Sequence, residues 1–258
     1  SIDTSAALAL PGVHAVFTAA DLNPDVREAW HAVTGKDSPD TPRPPLAEGT
    51  VKFVGDPVAL VVAENRYIAE DAIELVDVDY DPLPAIADFT RAVRADVVVH
   101  DDYPDNVAGG LAGAPPDEEV FATAAYVVEE RIYQQAYVPV PIETRGLVVE
   151  WLASAGELTM WASTQTPHEL RAFAARLLGI AAQRVRVIMR DTGGGFGQKV
   201  VPMREDMCIM LAARKVPAAL KWIEDRRENL MSAGQARPVD GPARTAPDDE
   251  ATILAADI

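Results

Sequence analysis

The chain has 258 residues, enough for one large domain or two ordinary ones, and its 48% hydrophobic and 24% charged content is that of a globular protein. A formal net charge of −17 argues against nucleic acid as a partner, because phosphate binding needs clustered Lys and Arg; its plainest reading is a solvated acidic surface. Cys208 is the single cysteine, which excludes an internal disulfide, a CxxC pair and a cysteine-built iron–sulfur cluster within these residues.

The four histidines, His14, His31, His100 and His168, are scattered, so a His-ligated metal site is not expected. No apolar run approaches the ~20 residues that span a bilayer, and no signal peptide is visible, so the expected compartment is the cytoplasm. The chain opens at Ser1 without Met and closes on Ala251 to Leu254, which reads as a strand just begun. An excerpt of a longer protein is expected.

Strands are predicted at Val13 to Phe17 and Pro57 to Val62, where β-branched and apolar residues are bounded by Gly12, Gly55 and Pro57. Asn65 is a candidate N-cap for a helix with Ile68, Ala72, Leu75 and Val76 on one face. Val76 to Tyr80 alternates apolar and acidic residues as a half-buried strand does, and Pro82 and Pro84 end it. Residues 38–50 hold four prolines without periodicity and read as an irregular connection. A Pro, Gly and acidic stretch over residues 101–118 is the best linker candidate.

Further strands are predicted at Tyr126 to Tyr133, Gly146 to Trp151 and Glu157 to Trp161. A helix then opens with Thr166 as candidate N-cap, Pro167 in its first position and Glu169 completing a capping box. Leu170, Phe173, Leu177 and Leu178 form its apolar stripe and Gly179 ends it. A strand at Val185 to Met189 leads to a glycine run, and a helix follows from about Met203 to Arg214. Its Met203, Met207, Met210 and Leu211 stripe reads as core filling. A strand at Ala219 to Ile223 and a short helix from Arg226 to Ser232 complete the pattern, which contains no internal repeat.

The sharpest local feature is Asp191-Thr192-Gly193-Gly194-Gly195-Phe196-Gly197-Gln198-Lys199, set between a strand and a helix. Such a turn can bring backbone N–H groups close to an anion or oxo group. It is not a P-loop, since Gln198 and Val200 flank Lys199, and counted from Gly193 the sixth place of a dinucleotide fingerprint is Gln198 instead of Gly. A kinase glycine loop fails by the same count. Spacing alone leaves a tight turn with no ligand equally open. Gln165, at a strand end, offers a neutral amide that can donate and accept, though alone it reads as a turn residue. Glu143-Thr144-Arg145 and Glu224 to Asn229 read as structural ion pairs, and His168 as a packing or surface residue.

Taken together, these pieces resemble a known family. Val54-Gly55-Asp56-Pro57-Val58-Ala59, Val62-Ala63-Glu64, Arg66-Tyr67 and Asp79 to Pro84 resemble the α/β hammerhead domain of molybdenum hydroxylase large subunits. Pro141 to Gly146, Thr164 to His168, Gly193 to Lys199 and Lys221 to Asn229 resemble the first molybdopterin-binding domain that follows it. The family includes xanthine oxidase, aldehyde oxidase and the aerobic carbon monoxide dehydrogenases. In it a pterin-held molybdenum inserts oxygen from water into a C–H bond or CO.

The resemblance implies an α+β chain: a hammerhead domain over residues 1–95, a linker over 96–118, and over 119–258 the first part of a molybdopterin-binding domain with mixed sheets and packed helices. It implies that Gln165 hydrogen-bonds the apical oxo ligand of molybdenum, that Gly194, Gly195, Phe196 and Gly197 line the cofactor, and that the N–H near Phe196 faces the same ligand. No residue here would ligate the metal directly. The implied cofactor is molybdenum–molybdopterin in its cytosine dinucleotide form, with FAD and 2Fe–2S clusters on partner subunits. Implied partners are an iron–sulfur subunit, a FAD-binding subunit and a small-molecule substrate (CO, an aldehyde or an N-heterocycle), in a dimer of heterotrimers.

Val200 stands where xanthine oxidase has a Glu after the Lys, against purine-type recognition. Pro-Ile-Glu-Thr and Glu-Asp-Arg-Arg-Glu-Asn favour the carbon monoxide dehydrogenase-like branch. Relatives read His-Ala-Arg where this chain has Gln235-Ala236-Arg237, and their proline before Lys-Trp sits farther upstream here, at Pro217. The family's catalytic glutamate, substrate loop and second cofactor domain fall beyond the position of Ile258, and the first hammerhead strand falls before Ser1, so these residues alone are expected to be inactive. Two other readings stand beside this one: a nucleotide-dependent α/β enzyme using the Gly193 to Gly197 turn for phosphate, and a non-catalytic subunit-assembly module.

Overall fold

A computed structural model of the chain describes residues 1–28, 43–101, 103–107, 116–236 and 238–257. In chain order the first elements are β1 (Ile2–Asp3), α1 (Ser5–Ala9), β2 (Val13–Thr18), α2 (Ala19–Leu22), β3 (Ala59–Ala63), α3 (Arg66–Ile73), β4 (Asp77–Val78) and α4 (Phe89–Ala92). Next come α5 (Glu118–Thr123), β5 (Val128–Gln134), β6 (Gly146–Leu152), β7 (Glu157–Ala162), α6 (Pro167–Leu178) and β8 (Val185–Ile188). The last are α7 (Arg204–Ala212), β9 (Leu220–Ile223), α8 (Arg226–Ser232), β10 (Val239–Pro247) and β11 (Ile253–Asp257). Helices and small sheets are mixed, as an α+β chain requires. His31, part of the 38–50 connection, Gly109, Gly110, Gly113 and Pro115 of the linker stretch, and Arg237 lie outside the described residues.

The chain divides into two compact units, the first drawn from 1–32, 40–83 and 139–234 and the second from 33–39, 84–138 and 235–258. The centre of the first is a four-stranded sheet in the order β8-β7-β6-β9. Strand β6 runs antiparallel to β7 and β9, while β7 and β8 are parallel, and α6 supplies the crossover that a parallel pair needs. Helix α6 buries Leu170, Phe173, Leu177 and Leu178, the stripe that its 3.6-residue period predicts. Gly179 ends it in the left-handed region at φ +63°; its N–H reaches Arg176 O at 3.1 Å and Ile180 N–H reaches Ala175 O at 3.0 Å.

Helix α7 is buried on every side from Met207 to Ala212, so its methionines are core. One apolar cluster joins it to Leu147, Val149, Leu158 and Met160 of the sheet and to Leu22, Leu46 and Val62 from the first part of the chain. The antiparallel pair β2 and β3 carries α3, whose Asn65 cap forms as expected, accepting from the N–H groups of Tyr67 and Ile68. The Gly55-Asp56 motif fastens this part of the unit. Asp56 pairs with Arg204 at the start of α7, Arg204 Nε donates to Pro44 O at 2.6 Å, and a β-carbon on Gly55 would overlap Ser232 at the end of α8.

Several local expectations change. Thr166 starts α6 without a side-chain cap: its Oγ1 donates to Val200 O at 2.6 Å, so the tertiary bond displaces the box with Glu169. The strand expected at Val76 to Tyr80 shrinks to Asp77–Val78, which pairs with β1.

The second unit holds the antiparallel sheet β11-β10-β5. Phe121 of α5 is buried, Arg244 lies 4.2 Å over its ring and pairs with Glu118 and Asp257, and Phe89 stacks on Tyr133. Helix α5 and strand β10 were not expected from the sequence. Among the described residues no helix is long and apolar enough to cross a membrane, and no cluster of three His, Cys, Asp or Glu could hold a metal ion.

Candidate functional site

The glycine run leaves β8 and turns back before α7, beside the end of β7. Three residues of the turn have positive φ: Gly194 at +93°, Phe196 at +51° and Gly197 at +89°. The bond from Gln198 N–H to Gly195 O, 2.9 Å, closes the turn. The N–H groups of Gly193, Gly197, Gln198 and Lys199 are all bonded within the protein, whereas that of Phe196 is without a partner among the described residues.

Gln165 sits three residues past β7 and is bound into this turn. Its backbone N–H donates to Lys199 O at 2.9 Å. Its side-chain Oε1 accepts from Gly197 N–H at 3.1 Å and from Lys199 N–H at 3.2 Å. With the oxygen spoken for, the amide can face outward only through Nε2, a donor. Among the described residues neither Gln165 Nε2 nor the N–H of Phe196 has a partner, and both residues are exposed. The arrangement requires glycine at 195: a β-carbon there would overlap Gln165 Oε1 and stand 2.5 Å from its Cδ. Gly194 lies between Phe196 and Pro141, and a β-carbon on Gly197 would meet nothing within 4 Å.

Thus Gln165, Gly194, Gly195, Phe196 and Gly197 come together, with Gln165, Phe196 and Gly197 exposed and Gly195 buried beneath the glutamine. Two participants were missed at the sequence level. Glu143 Oε2 accepts from Gly193 N–H at 2.7 Å, Ser163 Oγ at 2.7 Å and Lys199 Nζ at 2.9 Å. Lys199 is almost wholly buried, its side chain 1% exposed. Partial burial raises the Glu143 carboxyl, but Lys199, Ser163 and Gly193 outweigh it and hold the group below its ordinary range.

Under the turn lies a buried polar network. Arg145 pairs with Glu224 at 2.5 Å and Glu205 at 2.8 Å; burial pulls the guanidinium pKa down, and the two carboxylates carry it well above its ordinary value. Asn229 Nδ2 donates to Glu224 Oε2 and to Gln198 Oε1, and Gln198 Nε2 donates to Pro139 O at 3.0 Å. The expectation of structural ion pairs holds for Arg145 and Glu224. Asp206 lies beside this network, where burial lifts its carboxyl to about 6. His168 is exposed in the first turn of α6, away from these bonds. Gln165 Nε2 and Phe196 N–H are donors available to a polarised group, and among the described residues no metal-ligand cluster accompanies them.

Residues 99–258 match the molybdopterin cofactor-binding domain family, and residues 1–84 match the a/b hammerhead domain of aldehyde oxidase and xanthine dehydrogenase. The nicotine 6-hydroxylase large subunit of Paenarthrobacter nicotinovorans is 38% identical over 236 residues, covering 91% of this chain and 29% of its own length. The carbon monoxide dehydrogenase large chain of Afipia carboxidovorans is 35% identical over 270 residues, covering 99% of this chain and 33% of its own. Among solved structures, quinoline 2-oxidoreductase from Pseudomonas putida 86 superposes with a TM-score of 0.87 at 33% identity, over 98% of this chain and 32% of that one. The chain therefore spans about a third of the length of the relatives it matches.

Proposed function

Because the chain belongs to the aldehyde oxidase and xanthine dehydrogenase family of molybdenum hydroxylases, within the molybdopterin-binding large subunit, we propose that Gln165 and the Gly193 to Gly197 turn form one wall of the active site, facing the molybdenum cofactor. The observation that carries this reading is the double anchoring of Gln165 Oε1, which leaves Nε2 as the exposed donor. The residues suit such a group. Gln165 and Phe196, both exposed, each keep a donor without a partner among the described residues, and the turn is rich in glycine.

When bound, the cofactor supplies the redox centre at which oxygen from water is added to substrate. Gln165 Nε2 and Phe196 N–H orient that group by hydrogen bonds without ligating the metal. Gly194, Gly195 and Gly197 allow close approach, and the network beneath them keeps the backbone from relaxing.

The substrate is a small molecule (an aldehyde, an N-heteroaromatic ring or CO), with the carbon monoxide dehydrogenase-like branch favoured. The Pro-Ile-Glu-Thr and Glu-Asp-Arg-Arg-Glu-Asn motifs support that branch, and Val200 after Lys199 speaks against purine-type recognition. The nicotine hydroxylase and quinoline oxidoreductase likenesses keep N-heteroaromatics within the proposal. The cytosine dinucleotide form of the cofactor, FAD and 2Fe–2S clusters on partner subunits and a dimer of heterotrimers follow from the resemblance, and a cytoplasmic location is proposed with them. Expressed alone, the 258 residues are expected to hold the cofactor weakly, since one wall offers only part of the buried surface a large ligand needs.

Metal and nucleotide analysis of the native complex tests the reading. Molybdenum with a released cytidine nucleotide is expected. Bound ATP or NAD in place of molybdenum would overturn it in favour of a nucleotide-dependent enzyme.

A further inference from the structure

Five residues lie between the two ends of the glycine turn, and one oxygen atom joins them. Glu143 Oε2 receives the N–H of Gly193 at the start of the turn and the ammonium of Lys199 at its end. The same carboxylate takes Ser163 Oγ from the segment just after β7, and Glu143 N–H returns a bond to Gly193 O at 3.1 Å. A β-carbon on Gly193 would stand 2.6 Å from Glu143 Cβ, so the two backbones are pressed together at this point. Lys199 in turn carries both groups that hold Gln165: its N–H binds Gln165 Oε1 and its carbonyl binds Gln165 N–H. A continuous chain of contacts thus runs from Glu143 through Lys199 to the direction of Gln165 Nε2.

We propose that Glu143 is a positioning residue of the site, a clasp that shuts the turn from both ends and thereby aims Gln165 Nε2 and Phe196 N–H. All three donors meet at Glu143 Oε2, and the role assigned to the residue is to hold the turn in shape, acting on the reacting group through Lys199 and Gln165. Lys199 ties the clasp to Gln165, and its buried ammonium has Glu143 as its ion-pair partner. Loss of the carboxylate leaves that charge uncompensated and frees both ends of the turn. The proposal rests on the reading of the turn as a cofactor wall, so its test contains a readout that needs no cofactor.

The experiment uses the full-length subunit in its complex and compares wild type with Glu143→Ala, Glu143→Gln and Gln165→Ala. Hydrogen exchange is followed over residues 191–201, with the α6 segment as internal reference. Turnover, molybdenum content and the Mo(V) electron paramagnetic resonance signal are measured on the same preparations. In Glu143→Ala, exchange over the turn is expected to accelerate about tenfold or more, with α6 unchanged. Turnover is expected to fall about tenfold with KM little changed, and the Mo(V) signal to shift as it does in Gln165→Ala. Glu143→Gln, which keeps size and one acceptor, carries the same signs at smaller amplitude and serves if the alanine variant does not fold. Unchanged exchange in both variants overturns the clasp. Accelerated exchange with an unaltered Mo(V) signal, while Gln165→Ala alters it, overturns the aiming role. A silent Gln165→Ala sinks the cofactor-wall reading, and with it the positioning role, even where exchange shows the clasp to be a structural tie.

Discussion

Gly195 and Gln165 are packed so closely that a β-carbon on the glycine would stand 2.5 Å from the amide carbon of the glutamine and 2.8 Å from its Cγ. The amide lies flat against bare backbone, and its oxygen is held by two N–H groups of the same turn. Two substitutions separate orientation from chemistry. In the full-length subunit, Gln165→Ala removes one donor to a polarised group, worth about 1.5–3 kcal/mol, so turnover is expected to fall roughly ten- to a hundredfold. Gly195→Val should cost more, because the side chain displaces Gln165 and the turn together. Melting temperature should fall modestly in Gln165→Ala, since the side chain is exposed but accepts two N–H groups of the turn. Full turnover in that variant at unchanged molybdenum content would remove Gln165 from the site.

Arg145 is the pivot of the buried network, with its side chain 5% exposed and that of Glu224 fully buried. Arg145→Met strands the Glu224 carboxylate and a share of the Glu205 charge without a cation. Breaking one side of a buried pair typically costs about 3–5 kcal/mol, which predicts a large drop in the denaturant midpoint. A double change, Arg145→Met with Glu224→Gln, should recover part of it. A single variant as stable as wild type would show the network to be dispensable.

Asp206 supplies a pH signature. Burial raises its carboxyl from 3.8 to about 6, so between those values the native state holds a proton that the unfolded chain releases. This group's contribution to stability therefore falls as pH rises through that window and stays low at neutral pH. Asp206→Asn keeps an oxygen to accept the Met203 N–H, at 2.7 Å in the native pair, and removes the penalty. Stability of the variant relative to wild type should grow from pH 4 to pH 7, by chemical denaturation at each pH; a constant difference would rule the effect out.

The domain boundary is proposed to lie within residues 96–118, beyond the end of the hammerhead match at residue 84 and across the start of the cofactor-binding match at residue 99. Its Pro, Gly and acidic composition is the motive. Limited proteolysis of the full-length subunit should cut first in this stretch. Early cleavage elsewhere, with residues 96–118 left whole, would place the boundary at another point.

Local signals were legible wherever the bonds themselves are local. Asn65 caps α3 with N–H groups two and three residues on, and Gly179 closes α6 with carbonyls of the helix it ends. Thr166 looked equally clear, but its hydroxyl is claimed by Val200, 34 residues away. Strand β10 carries Gly241, Pro242 and Pro247, a poor strand by composition. It forms because β5 pairs along its length, and Pro242 falls where β11 does not reach. At the site, the glycine turn and Gln165 could be singled out, whereas the tie between Glu143 and Lys199 spans 56 residues and leaves no periodic trace. Charge proximity in Glu143-Thr144-Arg145 announced ion pairs but not their partners, since neighbours in sequence turn apart: Glu143 to Lys199, Arg145 to Glu205 and Glu224.

The fastening of Asp56 to Arg204, with Gly55 against Ser232, bears on how members of this family can be recombined. Asp56 belongs to the stretch that matches the hammerhead domain, and Arg204 to the stretch that matches the cofactor-binding domain. A swap that imports the first stretch from a relative also imports its half of a buried charge pair. Wherever the donor lacks the carboxylate at 56, the graft leaves an unmatched arginine at the head of α7, the helix on which the core is built, and any side chain at 55 overlaps Ser232. Interchangeable parts would need both halves of that joint to travel together.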